Sequence, residues 1–187
     1  MTESPRLSLI DEVARMMPGQ ESMIVSSDHL AQTDGWQVSE YEYGLIVAHN
    51  AFSRWITRCM SAVVENSDFN PLDILVLHNV NHRARAKRVA DVAFVLNIED
   101  QHTVTYALKK LARFDLVQSE RRGKERFYMT TVEGRRVCTA YGELRNQCLL
   151  STIRSLESDP DELRRVATLL RGLSGFYDQA ARAASSV

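Results

Sequence analysis

From Val38 onward, apolar residues recur at spacings of three and four through Tyr41, Leu45, Ala48, Phe52, Trp55, Cys59 and Val63. That is the period of one helix face, and it predicts a helix of about 25 residues. Asn70-Pro71-Leu72-Asp73 then reads as an N-cap, a proline at the first helical position and an acidic first turn, so a second helix is expected through about His82. Arg83 to Arg88 alternates basic and small residues and suits a short strand or an extended connector. Val89 to Leu96 is a compact apolar helix, and Asn97 is its turn residue, because Asn tolerates the left-handed conformation.

A further helix begins near Glu99 or Asp100. Val104, Ala107, Leu108, Leu111 and Phe114 fall on one side of it, and His102, Tyr106, Lys109 and Arg113 on the other, flanked by Thr103, Thr105 and Lys110. Leu116 to Ser119 and Arg126 to Thr130 are β-rich runs around Glu120-Arg121-Arg122-Gly123-Lys124-Glu125, which makes a hairpin with a basic tip. After Gly134 a helix is expected to about Leu156, with Val137, Tyr141, Leu144 and Cys148 on one face. Ser158-Asp159-Pro160-Asp161-Glu162 starts the last one, whose Leu163, Val166, Leu170, Leu173 and Tyr177 repeat at helical spacing towards Ala184. The long helices at either end of the chain thus carry narrow apolar seams of the kind that pack on other helices. Residues 1–35 read as an arm or short helix and linker: a weak amphipathic stretch from Leu7 to Met17, a Pro18-Gly19 break, and a polar run to Gly35.

Charge sharpens this picture. The net charge is -1 over 187 residues, yet residues 83–126 hold 11 Lys and Arg against 6 Asp and Glu, while the rest hold 12 against 18. A basic middle between acidic flanks suggests a module that faces a polyanion. The 8 glycines are scattered, so no Gly-rich phosphate cradle can be assembled. No nucleophile, base and orienting group combine either, and Ser53, His49 and Asp28 are too ordinary to nominate, so no enzyme and no cofactor is expected.

His78 and His82 stand at i, i+4, a spacing that can bind a transition metal, but no third ligand accompanies them. No metal site is therefore assigned. Cys59, Cys138 and Cys148 form no CxxC pair and lie on or beside apolar seams, where free cysteine is usually an inert hydrophobe and less often a redox sensor. No signal-peptide pattern and no membrane-spanning run occurs, which points to a cytoplasmic protein.

The order helix, short strand, helix, turn, helix, two-stranded ribbon is that of a winged helix-turn-helix. At this level the chain resembles the MarR family of bacterial transcriptional regulators, over residues 70–137. Val89-Ala90-Asp91-Val92-Ala93-Phe94-Val95-Leu96 match the first helix of the motif, and His102-Thr103-Val104-Thr105-Tyr106-Ala107-Leu108-Lys109-Lys110-Leu111 the recognition helix. Leu116-Val117 open the wing, and Thr131-Val132-Glu133-Gly134 restart a helix. Asp115 stands where glycine is common in the family.

The resemblance implies a mainly α protein: a winged helix-turn-helix with long N- and C-terminal dimerisation helices. Its parts would be an arm over 1–35, a dimerisation helix over 36–69, a DNA-binding domain over 70–134 and dimerisation helices over 135–187. It implies a homodimer on double-stranded operator DNA, read by His102, Thr103, Thr105, Tyr106, Lys109, Lys110 and Arg113 and held at the wing by Arg121, Arg122, Lys124 and Arg126. It also implies a small aromatic or anionic ligand between the lobes, for which the meeting of Trp55 and Arg58 with the helix starting at Pro71 leaves room. The alternatives are a winged helix that contacts protein without binding DNA, and a redox or metal sensor on the same fold.

Overall fold

The computed structural model describes residues 36–155 and 161–186. The expected arm over 1–35 and the Ser158-Asp159-Pro160 part of the last helix start lie outside them. Residues 36–150 form one compact unit, and the helices that follow belong to a second.

The first helix, α1, spans Trp36–Val63. α2 spans Pro71–Asn81, and its start is closed reciprocally: the Asp73 N–H donates to Asn70 Oδ1 (2.9 Å) and the Asn70 N–H to Asp73 Oδ2 (3.0 Å). Two of the four donors that a helix start leaves unpaired are satisfied in this way. A 3-10 turn, His82–Ala84, follows, with Arg83 at φ 61 and Ala84 at φ 45. Only Lys87 of the expected strand pairs, in a single bridge to Tyr128. The Lys87 side chain turns inwards, and its ammonium donates to the carbonyls of Val80 (3.0 Å) and His82 (2.6 Å) at the end of α2. A basic residue here serves as a helix C-cap rather than as a surface charge.

α3 spans Val89–Leu96 and α4 spans Gln101–Arg113. Both end in the same way. A left-handed residue, Asn97 (φ 53) or Asp115 (φ 56), donates its N–H three residues back, and the next N–H reaches five back, Ile98 to Ala93 (2.9 Å) and Leu116 to Leu111 (3.0 Å). This motif satisfies the last carbonyls and normally uses glycine at the left-handed position.

The wing is an antiparallel pair, β1 (Val117–Arg122) and β2 (Glu125–Thr130), running from Val117 opposite Thr130 to Arg122 opposite Glu125. Both strands are longer than the sequence pattern suggests. Gly123 and Lys124 make a two-residue turn, with Gly123 at φ +64 as such hairpins require. α5, Val132–Arg145, starts at Thr131, so Gly134 lies inside the helix rather than before it. It runs on through a π-helical segment, Asn146–Leu150, into α6, Ser151–Ser155.

The core of this unit draws Ile56, Cys59 and Met60 from α1, Ile74, Leu77 and Val80 from α2, Val92 from α3, Leu108 and Leu111 from α4, and Val137 and Tyr141 from α5. The α1 seam divides at Trp55. Val38 (57% exposed), Leu45 (37%) and Phe52 (50%) are bare, whereas Trp55 and Val63 pack on the core and Cys59 is inside it. In the second unit, α7 (Glu162–Ala184) exposes Leu163, Val166, Leu170 and Tyr177, which are members of the predicted seam. Among the described residues no helix is long and apolar enough to cross a membrane.

Candidate nucleic-acid interface

Asp100 caps α4 by accepting the His102 N–H at Oδ1 (2.8 Å). Val104, Ala107, Leu108 and Leu111 are buried, and this fixes which side faces out. His102, Tyr106, Lys109 and Arg113 are exposed there, as their 100° spacing requires. Tyr106 is 69% exposed, a large aromatic surface to leave in water, and the Lys109 ammonium lies 5.7 Å from its ring centroid. Thr103 and Thr105 are half-buried and donate their hydroxyls to the carbonyls of Asp100 (2.7 Å) and Gln101 (3.0 Å).

Lys110 departs from this face. Its ammonium reaches the Asp68 carbonyl (2.7 Å), Asp68 Oδ1 (3.1 Å) and Asp73 Oδ2 (3.1 Å) and lies 5.6 Å from the Phe69 ring centroid. Burial works against its charge, but the hydrogen bonds to Asp73 and Asp68 prevail and hold its pKa above the ordinary lysine value. The same contact, chiefly the hydrogen bond from Lys110, holds the Asp68 carboxyl below its usual range.

At the wing, Arg121, Arg122, Lys124 and Arg126 are all exposed. Arg122 pairs with Glu120 and lies over the Phe127 ring (4.9 Å), Arg121 Nε donates to the Gly123 carbonyl (3.1 Å), and Arg126 donates to Ser119 Oγ (3.1 Å). Lys124 makes no ion pair among the described residues, nor does Lys109. Arg88, which sequence reasoning left unassigned, bridges Asp91 and Glu125 (both 2.9 Å) and ties the start of α3 to the wing tip. An open groove of about 810 Å³ lies between the start of α2 and the outer face of α4, lined by Asn70, Leu72, Thr103, Tyr106, Lys109 and Arg113 among others.

The remaining candidates separate. His78 packs against Tyr141 (ring centroids 4.4 Å apart), its Nε2 buried without a partner, whereas His82 is an exposed residue past the end of α2. Burial, then Arg145, lowers the His78 pKa. Cys59 and Cys138 are buried, with the Cys138 thiol pushed up to about 11 by burial and Cys59 raised by burial and then by Cys148. Such thiols resist forming the reactive thiolate. Cys148 is exposed in the π segment. Trp55 packs on the core, and Arg58 is exposed.

Residues 69–134 match a family model described as a winged helix DNA-binding domain. No curated protein matches the chain by sequence. Among solved structures, the chain is similar to a mutant MarR from E. coli complexed with operator DNA, at 16% identity and a TM-score of 0.60, covering 75% of this chain and 99% of that one. It is also similar to the PcaV transcriptional regulator from Streptomyces coelicolor in complex with its natural ligand, at 18% identity, a TM-score of 0.58, and 78% and 97% coverage. MepR, a transcription regulator of the Staphylococcus aureus multidrug efflux pump MepA, aligns at 17% identity with a TM-score of 0.51 over 73% of this chain and 98% of that one. This chain thus carries a winged helix domain over residues 69–134, and its fold is similar to that of the MarR-type regulators.

Proposed function

We propose that the chain is a transcriptional regulator that binds operator DNA as a homodimer. In this reading α4 faces base edges in the major groove and the wing holds backbone phosphates. The observation that carries it is the outer face of α4, where His102, Tyr106, Lys109 and Arg113 stand exposed on a helix whose other side is locked into the core. A lysine without an ion-pair partner on that helix and another at the wing tip suit a duplex, which carries one negative charge per about 1.7 Å of axis. The MarR relative solved with operator DNA supports the same reading. Residues 70–134 would form the DNA-binding domain, and residues 36–69 and 135–187 the dimerisation helices. The protein would work in the cytoplasm. A small aromatic or anionic ligand near Trp55, Arg58 and Pro71 would shift the lobe spacing and so the DNA-competent population.

The test starts from a duplex selected out of a random DNA pool at stated salt. Tyr106→Ala and Lys109→Ala are expected to cost about 1–3 kcal/mol on that duplex and much less on a random one. Lys124→Ala should weaken both duplexes alike and lower the salt slope by about one unit. If the helix variants bind the selected duplex as the wild type does, α4 is not the reader. The second reading, a winged helix that contacts protein, would then take over. It draws on Phe94 (86% exposed) and Val95 (64%), two apolar side chains standing bare on α3.

A further inference from the structure

Lys110 lies one residue from Lys109 on α4, yet its charge is already spent inside the protein. Its three N–H donors meet three acceptors, the Asp68 carbonyl, Asp68 Oδ1 and Asp73 Oδ2, at 2.7, 3.1 and 3.1 Å. Its side chain is 17% exposed, and that of Asp73 is 4%. Asp73 is itself immobilised by the reciprocal cap with Asn70. The lysine thus ties the middle of α4 to the first turn of α2 through a fixed anion.

The side chains that α4 buries in its unit, Val104, Ala107, Leu108 and Leu111, are apolar, and apolar burial is non-directional. A charged group held by three acceptors is directional, and buried ion pairs are best attested as devices that fix register. The scale decides its importance. Turning a helix of side-chain radius 5–6 Å by about 10° moves its outer side chains by about 1 Å, whereas a recognition constellation needs placement to about 0.5 Å.

We infer that Lys110 is a positioning residue, which touches no DNA but sets the rotation of α4 and so the aim of Tyr106 and Lys109; this rests on the reading of α4 as the recognition helix. The sequence pattern alone would place Lys110 among the DNA contacts.

The test uses the full chain and the double variant Lys110→Met/Asp73→Asn, which leaves no unpaired buried charge and keeps an acceptor for the Asn70 N–H. The variant should melt close to the wild type and bind random duplex with unchanged affinity and salt slope. On the selected duplex it should lose at least tenfold. Backbone amides of residues 104–113 should exchange at least tenfold faster than in the wild type, and Lys110→Arg, which keeps the charge, should recover most of the selective binding. A salt slope reduced by about one on both duplexes would mean a phosphate contact and overturn the inference. So would selected-duplex affinity within twofold of the wild type. If the wild type prefers no duplex, the proposed function falls, and amide exchange alone decides: unchanged exchange in the double variant then overturns the positioning role.

Discussion

A Cβ at position 134 would collide with the carbonyl oxygen of Leu116, and that carbonyl cannot retreat because it accepts the Thr131 N–H (3.1 Å). Alanine normally gains about 1 kcal/mol over glycine inside a helix, but overpacking against fixed backbone costs about 1–3 kcal/mol or more. Gly134→Ala should therefore destabilise the chain despite its better helix propensity, and chemical denaturation reads the difference. Asp115 is the converse case: glycine is the usual residue at its left-handed φ of 56, yet Asp tolerates that region. Asp115→Gly should change stability by less than about 1 kcal/mol, whereas β-branched Asp115→Val should cost more than that. Both positions show where sequence reading ends. The use of Asn97 as a turn residue was legible because it is a local preference, but the need for Gly134 comes from Leu116, which the fold alone brings near.

Among the elements, those with local signals were legible. Asn70, Pro71 and Asp73 announced the start of α2, and the 100° arithmetic put Tyr106 and Lys109 on the outer face of α4. What stayed hidden depended on distant partners. Lys110 finds Asp73, 37 positions away, and Lys87 turns inwards to the carbonyls ending α2, so that a segment resembling a strand pairs at one residue only. The α2–α5 contact carries a pH effect of the same non-local kind. His78 reaches Tyr141 with Nε2 buried and unpartnered, and burial lowers its pKa, so the folded state binds a proton less readily than the unfolded chain. Stability is full above the ordinary histidine pKa of about 6.5 and is lost as pH falls below it towards the folded value. Between pH 7.5 and 5.5 the wild type should lose melting temperature that His78→Phe retains; equal losses would assign the effect to other groups.

For the whole molecule, bare seams set the expected assembly. Val38, Leu45 and Phe52 on α1, and Leu163, Val166 and Leu170 on α7, are exposed in a single chain. Covering them between two copies should bury an obligate-type interface above roughly 2,000 Å². Sedimentation at micromolar concentration should then find a dimer, and a stable monomer would refute it. The division of α1 at Trp55 would give that association an unusual thermodynamic shape. From Trp55 on, the helix belongs to the core of its own chain; before it, the exposed seam of the helix would depend on the second copy for cover. In such a dimer one continuous helix would have two sources of stability, one intramolecular and one set by mass action. Diluting the dimer would leave the winged core folded while the first half of α1 unravels from its end, so the helix content of this protein would depend on its own concentration.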